Sequence, residues 1–467
     1  MWVVVAPSPA DEADRIRPYD ANPRYWQYKG KPVLLLGGSD TDAAFQWTGD
    51  KLIDHLNLLQ SVGGNVIRNV LSDRRPESVR PFRRLESGAY DLEQWNEDYF
   101  TRLKRFLEET AARDIIVHLA LWDPHDHSHK GVWNESPWNP QNNVTYTQSQ
   151  SGLPLVPPTP YNRFPFYTTV EDDNKVVLAL QRRLVDRVLS ISLPFDHVLY
   201  NIMNETWAYV WEGSQWERYW AEYIKARAAE RGLSVHVTTM RMKPEASVAA
   251  VLDAPGLYSF AEISQNNQAA MGTSGQAHWD TIVKWRSEVG ARPLNNIKIY
   301  GGDLKEELVR NKTGTAVEAI DRFWRNILGG CACARFHRGE NGWGIGLDRR
   351  AQTHIRSARM LTGEIDIMRT RPRNDLLSDR DQNEAHCAAD PGVVYVVYFP
   401  DSHIMHNFPG HGRVRLDVSA VSGAARVRWL NAARGQWSDQ TVAIKGKILD
   451  LRAPTPDPWV AVVQSND

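Results

Sequence analysis

The sequence predicts a (β/α)8 TIM barrel followed by a small antiparallel β-sandwich, and three observations carry that expectation. Short β-branched apolar runs occur eight times, most of them followed by a stretch of helical periodicity. The length, 467 residues, exceeds one ordinary domain and suits a barrel plus an accessory module. From about residue 375 the strand–helix rhythm gives way to short alternating strands with Gly, Pro and Asp turns. The expected division is therefore 1–374 for the barrel and 375–467 for the sandwich.

The eight apolar runs are 32–38, 65–70, 115–121, 197–203, 234–239, 257–263, 296–300 and 331–336. Helical periodicity follows at 51–61, 99–113, 174–191, 216–231, 276–289, 315–328 and 350–370. The loop after the third run is long, 123–170, and rich in Pro, Asn, Tyr and Trp (WNESPWNPQNN, then PLVPPTPYNRFPFY). A loop of that length in a compact domain is expected to form a lid or a binding wall. The later strands are expected at 393–399, 414–418, 425–430, 441–449 and 459–463. No solenoid-period repeat interrupts this order.

Composition excludes several classes. Hydrophobic residues are 42% and charged residues 24%, enough apolar content for a large core, and the net charge is -1. That balance argues against a nucleic-acid surface or a polybasic membrane patch. No apolar run reaches bilayer length, and the start, MWVVVAPSPADEADR, lacks the basic region of a signal peptide. Cys331, Cys333 and Cys387 are too few for a disulfide framework or zinc site and read as core residues. No Gly-rich phosphate loop follows a strand, GGSDTD is too short for a dinucleotide fingerprint, and no G-x-S-x-G elbow occurs. No cofactor is expected. The 18 Trp residues point elsewhere: flat apolar indole faces suit the C–H faces of sugar rings, while about half should pack in the core.

In such a barrel the site lies at the C-terminal ends of the strands. After the fourth run stands Asn204-Glu205-Thr206-Trp207, in YNIMNETW. A carboxyl beside an amide and a Trp suits general-acid work on a glycosidic bond, since nearby rings would raise its pKa. Other strand-end residues fit a sugar site: Asp40 and Asp42, Arg68, Trp122, Gln265, Asn266 and Asn267, and His337, Arg338 and Trp343. Arg338 could read an acidic sugar or hold a carboxylate in place. His125, His127 and His129, in DPHDHSHK, could form a polar substrate wall or bind a metal.

These residues resemble the clan A glycoside hydrolases. An Asn-Glu pair after the fourth strand, here Asn204-Glu205, is that clan's acid/base signature, and Arg68 in NVIRNV matches an Arg of the same clan. NPRYWQYKGKPVLLLGGSD is similar to the start of apiosidase-like members, and VVYVVYFPDS through APTPDPWVAVVQ resembles the collagen-binding-type β-domain that follows those barrels. The resemblance covers most of the chain and implies a carbohydrate substrate, a glycosidase activity and Glu205 as acid/base. It also implies a nucleophilic Glu at the end of the seventh strand. In RPLNNIKIYGGD that place holds Lys298. The second carboxylate is therefore expected at Glu262, in FAEISQNN across the barrel mouth, then at Asp303, then at Asp40 or Asp42. Two other functions fit the same residues: a non-catalytic carbohydrate-binding barrel, to which Lys298 points, and a metal-dependent barrel enzyme using the His125 to His129 loop.

Overall fold

The computed structural model describes residues 9–465 apart from 74, 76, 129, 157–163, 173, 207–213, 266–274, 304–312, 382, 403–411, 422–424 and 444–445. Each of the eight apolar runs contributes a parallel barrel strand: β1 Leu35–Gly38, β2 Val66–Val70, β3 Ile116–Trp122, β4 Val198–Met203, β5 Val237–Thr238, β6 Ala261–Glu262, β7 Leu294–Ile299 and β8 Cys333–Phe336. Their hydrogen-bonded order is β5-β4-β3-β2-β1-β8-β7-β6. At the seam between β5 and β6, Ser259 N–H donates to Val237 O at 3.0 Å and the Thr238 hydroxyl to Phe260 O at 2.7 Å. A side-chain hydroxyl thus replaces part of the ladder where both strands are short.

Eight helices cover the strands: α1 Lys51–Ser61, α2 Glu97–Ala111, α3 Lys175–Ser192, α4 Ser214–Ala229, α5 Pro244–Asp253, α6 Gly275–Glu288, α7 Ala316–Leu328 and α8 Arg349–Glu364. Caps set several starts. Asn96 and Asn174 accept from backbone N–H groups, and Thr315 with Glu318 forms a capping box. Helix α5 has no counterpart in the sequence reading: it is the shortest of these eight helices, ten residues with Pro244 at its first turn and little polar face. The far end of the barrel is closed by a three-stranded sheet, Arg17–Tyr19, Asn22–Tyr28 and Lys31–Val33. Its Trp26 is fully buried against Phe260 and His236 and donates to Asn295 Oδ1 at 3.0 Å.

The excursion after β3 carries three short helices, His125–Ser128, Lys130–Glu135 and Gln148–Ser151. Trp133, Trp138, Phe164, Phe166 and Tyr167 are buried there, so the excursion has an aromatic core of its own. Trp122 belongs to this packing, 5.6–5.8 Å from Phe166, Trp216 and Trp220, and is buried, which corrects its expected place among the sugar-site residues.

The C-terminal unit is a six-stranded antiparallel sheet facing a three-stranded one. It takes up the chain at Arg371–Pro372, which pairs with His386–Asp390, a few residues before the expected boundary. Strand Val394–Phe399 is buried on both faces, and its alternation shows why. Tyr395, Val397 and Phe399 enter the sandwich core, whereas Val394, Val396 and Tyr398 join the barrel's core. Tyr398 stacks on Trp324 of α7 at 5.5 Å, and its hydroxyl donates to Asp321 at 2.6 Å. The three cysteines are free and buried. Among the described residues no helix is long and apolar enough to cross a membrane.

Candidate active site

The backbone changes partner at Glu205. Asn204 N–H still bonds Trp122 O of β3 at 2.8 Å, while Thr206 N–H bonds Met240 O, past β5, at 2.9 Å. Between them Glu205 adopts a left-handed conformation, φ 51°. For a residue with a Cβ this costs on the order of 1 kcal/mol or more and persists where neighbours hold it, a pattern found at functional sites. Both neighbours are held. Asn204 Oδ1 accepts from Lys298 Nζ at 2.6 Å and Arg68 Nη2 at 2.7 Å, and the Thr206 hydroxyl donates to the buried Glu217 of α4 at 2.6 Å. Arg241 pairs Glu217 at 2.8 Å.

The Glu205 carboxyl is the focus of the mouth. Its Oε1 accepts from Lys298 Nζ at 2.5 Å, Gln265 Nε2 at 2.9 Å and the Tyr300 hydroxyl at 3.0 Å, and its Oε2 lies 3.2 Å from His125 Nε2. Burial would raise its pKa, but the Lys298 ammonium and the His125 ring outweigh burial and hold it well below the ordinary value of 4.5. This reverses the sequence expectation of a carboxyl raised by apolar rings. The Lys298 ammonium, a cation held against Glu205 Oε1, favours the carboxylate. Lys298 itself is brought down to about 8 by burial, against the opposing pull of Glu205.

Behind this pair lies a buried ionic layer. Asp42 Oδ2 stands 2.9 Å from Arg68 Nη1 and accepts from Arg338 Nη1 at 3.0 Å, with His337 at 3.7 Å and Arg335 at 3.8 Å from Oδ1. Burial opposes its ionisation, yet Arg68, His337, Arg338 and Arg335 together hold Asp42 well below 3.8. His337 packs edge-on to Tyr300 at 4.6 Å, and the Arg338 guanidinium lies 6.0 Å from the Trp343 ring centre. The structure thus brings together Asp42, Arg68, His125, Asn204, Glu205, Gln265, Lys298, His337, Arg338 and Trp343. Tyr300 and Arg335 were missed by the sequence reading. Their signal was available, since each stands two residues from a named one (Lys298, His337) along a strand and so shares its face.

The second-carboxylate candidates lie elsewhere. Glu262 has no exposed side-chain surface; one oxygen accepts from Ser264 N–H at 2.9 Å and from the Ser264 hydroxyl, and the other is 3.7 Å from the buried His118. It sits below the mouth because β6 turns its side chain inward, and Gln265, three residues on, is what that strand presents to Glu205. Asp303 is on the outside, paired with Arg350 at 2.6 Å and 65% exposed. Asp40 is 57% exposed and accepts from Leu347 N–H at 3.0 Å. Among the described residues, none of the four side chains bonded to Glu205 is a carboxylate. His125 and His127 diverge: His127 is buried against Phe166 at 4.1 Å, and burial lowers it to about 3. Trp207, Asn266, Asn267 and His129 lie outside the described residues.

Burial pushes Glu262 up from 4.5 to about 7. A carboxyl raised in the fold is neutral there at low pH, so its cost is absent below 4.5, grows as pH rises to about 7 and is constant above. Glu262→Gln is therefore expected to leave stability unchanged at pH 4 and to raise it on the order of 3 kcal/mol at pH 8. Urea titrations at the two values check this; an equal effect at both would show that the carboxyl is not raised.

No family model matches the chain, and no curated protein matches it in sequence. Solved structures do. A glycoside hydrolase family 5 protein from Bacteroides vulgatus is 11% identical, with 98% of this chain and 94% of that chain covered and a TM-score of 0.64. A protein described as a glycoside hydrolase gives 11%, 98% and 98%, and 0.65. The chain has the fold of these barrels. A family 5 mannosidase from Rhizomucor miehei, solved in complex with mannosyl-fructose, aligns over 76% of this chain and 100% of its own, at 11% identity and a TM-score of 0.53. At such identities the likeness concerns the fold.

Proposed function

We propose that the chain is a glycoside hydrolase that cleaves a glycosidic bond in a polysaccharide or a derived oligosaccharide, with Glu205 as the carboxylate at the reacting centre. The observation that carries this is Glu205 itself, a strained residue at the end of β4, with Lys298, Tyr300, Gln265 and His125 converging on its two oxygens. Barrels of the same fold that bear the name glycoside hydrolase support it. The resemblance of the flanking segments to apiosidase-like proteins belongs to the same proposal.

In the free site Glu205 is a carboxylate, ready to attack the anomeric carbon or to take a proton from water. Protonation of the leaving oxygen then falls to the neighbouring Lys298 ammonium, which gives up a proton as the glycosidic bond breaks. Lys298→Met removes the main cation that keeps Glu205 ionised while leaving its burial. The acid limb of the pH–activity profile is expected to move up by about one to two units; an unmoved limb would mean that Glu205 ionisation does not govern turnover.

Release of reducing ends from plant, algal and bacterial polysaccharides, compared between the wild type and Glu205→Gln, tests the hydrolase assignment. One observation favours a second function: the position opposite Glu205 holds Lys298 in place of a carboxylate. Sugars that bind without turnover in the wild type would make the chain a carbohydrate-binding barrel.

A further inference from the structure

Three guanidinium groups share one carboxylate beside Glu205. Arg68 and Arg338 pair with Asp42 at 2.9 and 3.0 Å, and Arg335 stands 3.8 Å away. The other partners of Arg335 are neutral, the Ser39 hydroxyl and the Ile297 carbonyl. Lys298 is a fourth cation, and its carboxylate is Glu205. The crowding registers in Arg335, which burial, then Arg68 and Arg338 against the pull of Asp42, bring down to about 10.

Among the described residues, nearby acids do not cancel this excess. Glu340 is occupied by Arg75, and Asp40 faces outward with one oxygen on a backbone N–H. Asp123 and Asp126 stand on the β3 side, bonded to His125 N–H and the Ser72 hydroxyl. Glu262 faces Ser264 and His118. In a partly desolvated mouth, uncompensated cations favour an arriving anion.

The cation placed to meet one is Arg338. It reaches Asp42 through Nη1 alone, while its buried Nε has no partner among the described residues. It is partly exposed and lies over the partly exposed Trp343, whose ring is 6.3 Å from that of Tyr300, a donor to Glu205. A partly exposed guanidinium matches a carboxylate, and an indole face beside it matches a sugar ring.

We propose that Arg338 and Trp343 form a subsite for a uronic acid residue, with Arg338 reading the sugar carboxylate and Trp343 carrying the ring. The subsite's place next to Glu205 rests on the hydrolase assignment; its charge preference does not.

Calorimetric binding to Glu205→Gln, which blocks turnover, tests the subsite. The probes are oligosaccharides of polygalacturonate, polymannuronate and glucuronoxylan, each beside its carboxyl-reduced form. At least one uronate form is expected to bind about tenfold more tightly than its reduced counterpart, with the gap narrowing in salt. The gap should close in Arg338→Gln and shrink in Arg338→Lys, which keeps a charge beside Asp42 and guards against misfolding. Three results would each overturn the proposal: reduced forms binding as well as charged ones, a gap unchanged in both Arg338 variants, or no binding by any probe. Charge-dependent binding without release of reducing ends by the wild type would instead remove the hydrolase assignment and leave the subsite standing.

Discussion

Glu205→Gln is expected to lower kcat/KM by about 10² to 10⁴-fold. The amide keeps the size of the side chain and can still accept from Tyr300 and Gln265 at Oε1. It cannot take a proton or attack an anomeric carbon, so a role at the reacting centre is lost with the charge. The substitution also takes from the buried Lys298 its ion-pair partner, which is expected to depress the lysine further below its value of about 8. Thermal melts and kinetics on the same preparation separate the two effects. Full activity of Glu205→Gln would remove Glu205 from the mechanism.

Deleting residues 371–467 is expected to give an insoluble or much less stable barrel. The six-stranded sheet lays Val394, Val396, Tyr398, Leu430, Val460 and Val462 into the same buried cluster as Trp324 and Ile355 of the barrel helices. Uncovering that face returns a large apolar surface to water, at about 25 cal/mol per Å². It also takes away the partner of a carboxyl group. Asp321 is fully buried, burial raises its carboxyl to about 6, and its bond comes from the Tyr398 hydroxyl. The milder Tyr398→Phe should therefore cost about 1 to 3 kcal/mol, because it leaves a buried acceptor unmet while keeping the stacked ring. A deletion variant as soluble and as heat-stable as the full chain would show that the sandwich is not a brace.

The fold was legible because its signal is local and repeated. Every one of the eight apolar runs holds a barrel strand, since β-branched runs between polar loops favour buried parallel strands whatever surrounds them. Asn204-Glu205 stood out for the same reason: position after a strand is a one-dimensional fact, and the barrel converts it into position at the mouth. Helix α5 escaped because ten residues with little polar face carry no clear period.

The charge state of the site was decided by the tertiary structure alone. Whether a carboxyl is raised or lowered depends on which groups lie within a few ångströms, and Lys298 meets Glu205 across 93 residues of chain. Glu262 and Glu205 both end apolar runs and look alike in the sequence, yet β6 turns one into the dry interior, where it is pushed up to about 7. The turn at Glu205 sets the other among cations, which hold it low. The gathering of Arg68, Arg335 and Arg338 around Asp42 is likewise a product of barrel closure, which brings β1, β2 and β8 side by side. The sequence by itself determined which residues stand at the strand ends; closure of the barrel determined which of them share a charge, because that depends on distance and burial rather than on order along the chain.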